Sequence, residues 1–176
     1  MMRTEEQSGS ELMNWYAIHV RSRHEFNVTD RLAKSGIGSF LPIVERLRQW
    51  KDRKRLVSFP LFPGYLFVNI HADNEEKLAV LKTPGVVKFI GQTPGEPEPV
   101  PDEVVLSLKR LVESKEAIDP YPYLKEGNRV RIRSGALAGV EGILVERQGM
   151  HHLVLSVDIL RQGVAIKIEA STVEAL

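Results

Sequence analysis

The chain lacks cysteine altogether. This absence excludes disulfide bonds, thiolate nucleophiles and cysteine-ligated zinc sites. It also lacks any run of about 18 consecutive apolar residues, which excludes a membrane-spanning helix. Residues 1–10 are polar and acidic and do not contain the apolar stretch of a secretory signal peptide. We therefore expect a soluble cytoplasmic protein that has no membrane partner.

Charge of one sign is not in excess either, because 24 Lys and Arg residues oppose 23 Asp and Glu residues for a net charge of +1. Net charge therefore indicates no particular partner. The distribution is more informative, since residues 46–55 carry six cations and one acid around Trp50. A length of 176 residues, 43% of them hydrophobic, is enough for one or two modest globular domains.

Catalytic constellations are also missing from the sequence. We find no nucleophile–base set, no phosphate-binding loop and no spacing typical of metal ligands. The adjacent residues His151 and His152 fall in an expected turn rather than at the i, i+4 positions of a helical metal site. We therefore predict neither an enzyme nor a metal or cofactor site.

The order of the predicted elements indicates an α+β fold with two domains. Between residues 14 and 116 the elements alternate as β-α-β-β-α-β-α, and the first six have the ferredoxin-like, split βαβ order, an antiparallel sheet with helices on one face. Residues 125–176 contain five short strands between Gly and polar turns, which indicates a small SH3-like barrel. Residues 117–124 are predicted to be a linker, and residues 1–13 a disordered N-terminus.

Each predicted helix begins at residues that are typical of a helix N-terminus. Ser22 with Glu25, and Asp73 with Glu76, have the spacing of a capping box, in which side chains satisfy the free amide groups of the first helical turn. A third helix is predicted to begin at Asp102. Its apolar stripe is formed by Val104, Val105, Leu108, Leu111 and Val112.

Two stretches carry a family resemblance. The first, Phe-Pro-Gly-Tyr-Leu-Phe-Val at residues 62–68, is an aromatic strand entered through a Pro-Gly turn. The second covers residues 127–145, where glycines suit tight turns and alternating apolar residues suit a barrel core. In this order, and with Trp15-Tyr16 opening the first domain, they resemble the NusG family of transcription elongation factors. The second stretch is similar to the family's KOW motif, and the resemblance extends to Leu176.

The resemblance implies a transcription elongation or antitermination factor. In the family, a hydrophobic depression of the N-terminal (NGN) domain binds the clamp helices of RNA polymerase. We expect the aromatic strand to line a sheet face that no helix covers, where exposed apolar residues indicate a partner. The matching positions are Tyr16, His19, Phe62, Pro63, Gly64, Tyr65 and Phe67.

Two further partner sites follow from the resemblance. The start of the second helix is expected to face the polymerase β subunit on the opposite wall of the cleft, through Asn74, Glu75, Glu76 and Lys77. The KOW domain is expected to recruit a small-subunit ribosomal protein or the Rho terminator. Its matching positions are Leu137, Val140 and Leu160, which are smaller than the aromatic residues of the family.

Two basic clusters are candidates for nucleic-acid binding. The first consists of Arg21, Arg23, His24, Asn27, Arg31 and Lys34, and the second of Trp50, Lys51 and Arg53. From the residues alone, the first cluster is equally well interpreted as an ordinary solvated face. In specialised members of the family, the corresponding surface contacts the displaced non-template DNA strand as a single strand.

The Arg-Ser-Arg-His-Glu opening and the Trp-Lys-Asp-Arg-Lys-Arg run resemble the specialised RfaH- and UpxY-type antiterminators more than the housekeeping members. An alternative function is that of a ribosome- or RNA-binding KOW protein without a polymerase role. In either case we expect a monomer.

Overall fold

The computed structural model describes residues 12–176, so most of the predicted N-terminal disorder lies outside the described residues. The N-terminal half contains β1 (Met13–Val20), α1 (Glu25–Lys34), β2 (Gly38–Phe40), β3 (Ile43–Gln49), β4 (Lys54–Pro60), β5 (Tyr65–His71), α2 (Asn74–Lys82), β6 (Val86–Phe89), β7 (Pro99–Val100) and α3 (Asp102–Glu113). The C-terminal half contains β8 (Ile118–Tyr121), β9 (Asn128–Ile132), β10 (Glu141–Arg147), β11 (Met150–Val157), β12 (Gln162–Lys167) and β13 (Val173–Ala175). None of these helices is long and apolar enough to cross a lipid bilayer.

The N-terminal sheet has the strand order β2-β5-β1-β6, and the short strand β7 also pairs with β1. All of these pairings are antiparallel. Strands β1 and β5 lie at the centre, and the strands that follow α1 and α2 lie at the two edges. This is the ferredoxin-like order, and the predicted α+β class is confirmed.

One face of this sheet packs against α1 and α2. Because side chains alternate along a strand, every second residue of β1 and β5 points to this face. The resulting core consists of Tyr16, Ile18 and Val20 from β1, Leu66, Val68 and Ile70 from β5, Val28 and Leu32 from α1, Val80 from α2, and Leu41.

The opposite face of the sheet is not open. Ala17 and Phe67, both fully buried, share a core cluster with Val105, Leu108 and Leu111 of α3. The expectation of an uncovered sheet face is therefore wrong. The apolar stripe of α3 was correctly predicted, and it is buried because the second sheet face is the apolar surface available to it.

Strands β3 and β4 form a separate two-stranded hairpin between β2 and β5. Its ladder runs from the pair Ile43–Pro60 at the base to the pair Gln49–Lys54 near the tip. The second strand of the predicted order is therefore two strands, β2 and β3, with residues 41–42 between them. Most of the basic run at residues 46–55 lies in the hairpin strands, and only its middle forms the tip.

The C-terminal half forms a six-stranded antiparallel sheet with the order β13-β9-β10-β11-β12-β8. The five predicted strands are present, and β8 is added from within residues 117–124. Part of the predicted linker is therefore a strand, and Pro120 is tolerated within it because β8 is an edge strand, one side of which forms no ladder.

The barrel lies against α3. Its core residues, including Val130 and Leu155, belong to the same contiguous cluster as the buried residues of α3. Arg110 Nη1 of α3 donates a hydrogen bond to the carbonyl oxygen of Ala138 in the barrel at 2.7 Å. The two halves of the chain therefore share an apolar core and a polar contact.

Candidate functional site

A tight turn at Phe62–Tyr65 leads into β5. The Tyr65 N–H donates to the Phe62 carbonyl at 3.0 Å, and Gly64 adopts a φ of +85°, which a residue with a side chain rarely adopts. The Gly64 carbonyl in turn accepts the Val20 N–H at 2.8 Å. The turn is thereby fixed to the end of β1.

Glu25 holds this turn from the other side. Its Oε1 accepts the Gly64 N–H at 2.9 Å, and the residue is only 4% exposed. The predicted capping box of Ser22 with Glu25 is wrong, because His24 is the N-cap and makes no side-chain capping bond. The Glu25 carboxylate instead makes a tertiary contact, and its position in the first turn of α1 is favourable for a negative charge.

His19 and Tyr65 form an aromatic pair beside the turn. They are opposite each other in the β1–β5 ladder, and their ring centroids lie 5.3 Å apart with 32° between the planes. Both residues are half-buried, and Pro63 next to them is exposed. A small aromatic surface therefore reaches solvent at this end of the sheet.

The other predicted polymerase positions do not reach solvent. Phe62 is 1% exposed and Phe67 is fully buried in the cluster that contains the α3 residues. Tyr16 lies on the opposite face of the sheet, where its ring packs edge-on against Phe89 at 6.2 Å. The structure thus groups His19, Pro63, Gly64 and Tyr65 and separates them from the remaining three.

The loop between β1 and α1 places cations next to this aromatic surface. Arg21 and Arg23 are exposed, and neither forms an ion pair with an acid among residues 12–176. The Arg21 N–H donates to the Gly85 carbonyl at 2.8 Å. Arg23 has a φ of 64°, an unusual conformation for a residue other than glycine.

Two of the remaining residues of the first basic cluster form side-chain hydrogen bonds within the domain, and two do not. Arg31 Nη1 donates to the Pro84 carbonyl at 2.7 Å and so connects α1 with the turn before β6. His24 Nδ1 lies 2.9 Å from the Ser22 carbonyl. Asn27 and Lys34 are exposed on α1. Arg31 is exposed as well, so within this cluster it differs from Arg21, Arg23, Asn27 and Lys34 by its hydrogen bond and not by its accessibility.

The second basic cluster forms the hairpin tip. The Trp50 N–H donates to the Arg53 carbonyl at 2.8 Å, which closes a turn with Lys51 and Asp52 at its centre. The Trp50 side chain is 58% exposed, and Lys51 and Arg53 are exposed as well. The structure therefore presents a tryptophan among cations to solvent.

Asp73 caps the start of α2, because the Glu76 N–H donates to Asp73 Oδ1 at 2.8 Å, but the reciprocal half of the predicted capping box is absent, since the Glu76 carboxylate bonds His71 instead. Asn74 and Glu75 are exposed, and Lys77 is half-buried. The Glu76 carboxylate accepts from His71, whose Nδ1 lies 3.0 Å from Oε1.

Ligand-type atoms of His71, Asp73 and Glu76 lie within 4.8 Å of one another. Helix capping and the His71–Glu76 contact account for this grouping without an ion.

The predicted partner residues of the barrel are covered. Leu137 is 8%, Val140 1% and Leu160 9% exposed, and all three belong to the cluster that joins the barrel to α3. The hydrogen bond from Arg110 reaches Ala138, which lies between the first two of them. The sequence did not indicate this burial, because an apolar loop residue looks the same whether it packs against another protein or in the core of its own chain.

Two polar contacts stabilise the barrel surface. Arg131 lies between Glu141 and Glu174, and the hydrogen bond to Glu141 raises the pKa of its guanidinium. Tyr123 donates its hydroxyl proton to Asp158 at 3.0 Å, and this bond raises the pKa of the phenol above its ordinary value. The second contact fixes residues just after β8 to the barrel.

Comparisons with known proteins agree on one family. The family model described as "Transcription termination factor nusG" matches residues 13–109. The transcription termination/antitermination protein NusG of Staphylococcus carnosus is 30% identical over 175 residues, which cover 92% of this chain and 95% of that protein. The corresponding protein of Pseudomonas aeruginosa is 28% identical over 171 residues, covering 91% and 97%.

A solved structure supports the fold. The structure titled "Domain interaction in Thermotoga maritima NusG" aligns with a TM-score of 0.57 and 24% identity over 96% of this chain and 99% of that one.

Proposed function

The chain belongs to the NusG family of transcription termination and antitermination factors, and from that premise we propose that it binds the clamp helices of RNA polymerase through the His19–Tyr65 pair. The observation that carries this proposal is the half-exposed aromatic pair beside the exposed Pro63. Aromatic rings with one accessible face are typical anchors of protein interfaces. Gly64 and Glu25 keep the turn in one conformation, which lowers the entropy lost on binding.

The start of α2 is proposed to contact the opposite wall of the cleft. The β1–β5 ladder runs from the pair His19–Tyr65 to the pair Met13–His71, and α2 begins just after His71. At about 3.4 Å per residue, the two proposed contacts lie roughly 20 Å apart at opposite ends of one rigid sheet. Such an arrangement suits a bridge across a cleft, with Asn74, Glu75, Glu76 and Lys77 at the far end.

The effect on transcription would come from binding alone, without a chemical step. A factor that binds the closed clamp better than the open one shifts the polymerase population toward the closed, less paused state. A shift of a few kcal/mol is within the range of ordinary coupling between sites. The protein would then act in the cytoplasm, with the polymerase, as an elongation and antitermination factor.

The first basic cluster is proposed to bind the displaced non-template DNA strand. Arg21 and Arg23 are exposed, have no acidic partner among residues 12–176 and lie beside the proposed polymerase contact. Asn27 and Lys34 extend this surface along α1. The basic hairpin, with Trp50, Lys51 and Arg53, extends it further and favours a specialised RfaH- or UpxY-type member over a housekeeping one.

The barrel is proposed to recruit a second protein, a ribosomal protein or Rho, through Leu137, Val140 and Leu160. Because these residues are buried in the cluster that the barrel shares with α3, recruitment would require them to become exposed, as by separation of the barrel from α3. A short connection to the N-terminal domain would then keep the recruited partner at a high effective concentration near the polymerase.

In vitro transcription through a pause site and a Rho-dependent terminator, with and without the protein, tests this function. We expect shorter pauses and altered readthrough with the wild type, and no effect with the Tyr65→Asp variant. Unchanged pausing and termination at saturating wild-type protein would contradict the proposal. RNA binding without any polymerase effect would instead support a KOW protein of the translation machinery.

A further inference from the structure

The β3–β4 hairpin has two chemically different faces. Residues opposite each other in the ladder point to the same face, so the register assigns each side chain to one side. Arg48 is opposite Arg55, and the closing bond of the tip places Trp50 opposite Arg53. We call these four residues the arginine face.

The other side of the hairpin carries the pair Leu47–Leu56 and the pair Gln49–Lys54. Leu47 is 66% and Leu56 55% exposed, so this side presents two leucines to solvent, with the polar Gln49–Lys54 pair beyond them at the tip. Cations of the distal hairpin strands are thus sorted by type, with arginines on one side and Lys54 on the other. Cations that were merely solvated would not need to be separated in this way, with arginines on one face of the hairpin and lysine on the other.

The arginine face is electrostatically unsatisfied within the described chain. Like charges directly opposite in a ladder repel, yet Arg48 and Arg55 are such a pair. Among residues 12–176 no carboxylate forms an ion pair with either of them or with Arg53. The Arg48 guanidinium lies 4.7 Å from the Phe59 ring centroid, which holds it over the same side of the hairpin. A bound polyanion would relieve this repulsion.

The chemistry of the face fits nucleic acid and favours a single strand. Guanidinium groups form paired hydrogen bonds with phosphate, whereas lysine acts as a point charge. Trp50 offers an accessible ring on which an unpaired base can stack, and a base within a duplex does not expose its π-face. Arg46, nearer the base of the hairpin, donates to the Ile118 carbonyl at 3.4 Å and is not included.

We propose that the arginine face binds single-stranded DNA directly, without the help of the polymerase. The choice of DNA rests on the proposed function, because the hairpin leaves the sheet at the same end as the cationic loop at Arg21 and Arg23. The Leu61 N–H donates to the Pro42 carbonyl at 2.8 Å at the hairpin base, two residues before the turn at Pro63. The hairpin base therefore lies at the same end of the sheet as the loop that carries Arg21 and Arg23.

The test is fluorescence anisotropy of a labelled single-stranded DNA with the free full-length protein over a range of salt concentrations. Arg55→Glu should weaken binding about tenfold or more. The slope of the logarithm of the binding constant against the logarithm of the salt concentration should become shallower by about 0.7 for each phosphate that the variant no longer neutralises. The matched control is Lys54→Glu, which makes the same charge change at the neighbouring exposed position on the other face. A loss of affinity from Lys54→Glu equal to that from Arg55→Glu would overturn the proposal.

A second variant pair tests the stacking contact. Trp50→Ala should weaken binding on the order of tenfold, whereas Leu47→Ala removes an exposed apolar side chain from the opposite face and should leave it unchanged. Wild-type protein that binds a duplex or a single-stranded RNA of the same sequence more tightly than the DNA would also overturn the proposal. These measurements contain no polymerase, so they separate the hairpin from the contact proposed for Tyr65.

Discussion

The buried carboxylate of Glu25 accepts the backbone N–H of Gly64 at 2.9 Å and connects two candidate binding elements. Glu25 begins α1, directly after the loop that carries Arg21 and Arg23. Gly64 belongs to the turn that presents Tyr65. Together with the bond from the Val20 N–H to the Gly64 carbonyl, this hydrogen bond fixes the position of the cationic loop relative to the aromatic surface.

Replacement of Glu25 by alanine should destabilise the N-terminal domain by about 1 to 3 kcal/mol, because the Gly64 N–H loses its acceptor in a partly buried place. Glu25→Gln keeps an acceptor oxygen and should cost about 1 kcal/mol or less. Urea unfolding of the two variants checks this order. Equal stability of Glu25→Ala and the wild type would show that the hydrogen bond contributes nothing.

Replacement of Arg23 by glycine should separate binding from stability. Arg23 has a φ of 64°, which costs a residue with a side chain about 1 to 2 kcal/mol and costs glycine little. Arg23→Gly should therefore be as stable as the wild type or slightly more stable, while crosslinking to the non-template strand decreases.

The matched control is Arg23→Ala, which also removes the cation but keeps the backbone strain. It should show the same decrease in crosslinking and be less stable than Arg23→Gly by about 1 kcal/mol. A crosslink of wild-type intensity in both variants would identify Arg23 as an ordinary solvated residue.

Patterns that depend on neighbours in the chain predicted the fold well. The order of the three helices and the four main sheet strands, the Asp73 cap of α2 and the apolar stripe of α3 are all local signals that the structure contains, whereas the β3–β4 hairpin and the short strand β7 were not predicted. The six-element order was enough to give the ferredoxin-like sheet, because chain connectivity limits how such elements can pair.

Features that depend on distant residues were not predictable in the same way. Ser22 and Glu25 have the spacing of a capping box, but a partner 39 residues away in sequence, Gly64, uses the carboxylate instead. The aromatic strand is apolar on both sides, so the sequence did not show that α3 covers Phe67. Only Tyr65 of that strand, near the end of the sheet, keeps an accessible ring.

Substitution of Phe67 should affect stability rather than partner binding. Its ring is fully buried and stacks on Phe40 at a centroid distance of 6.1 Å. Phe67→Ala should lower the free energy of unfolding by about 3 to 5 kcal/mol, the usual cost of a large buried cavity. Tyr65→Ala, two residues away on the same face but half-exposed, should cost clearly less in the same denaturation experiment. Similar costs for the two would contradict the difference in burial between these rings.

Removal of the Arg110 side chain should loosen the contact between the barrel and α3. Arg110→Ala deletes the hydrogen bond to the Ala138 carbonyl, and about 1 kcal/mol is expected for this exposed charged donor. Hydrogen–deuterium exchange should increase in residues 135–140 and in α3, and remain unchanged in α1. Increased exchange throughout both domains would indicate global destabilisation instead of local separation.

Retention of the protein on immobilised core RNA polymerase tests the central claim most directly. The wild type and Leu106→Asp, a charged substitution at a 55% exposed position of α3, should be retained, whereas folded Tyr65→Asp should not be retained. Circular dichroism and thermal melting establish beforehand that both variants are folded. Wild-type protein that passes through the polymerase column, or Tyr65→Asp that is retained as well as the wild type, would contradict the account.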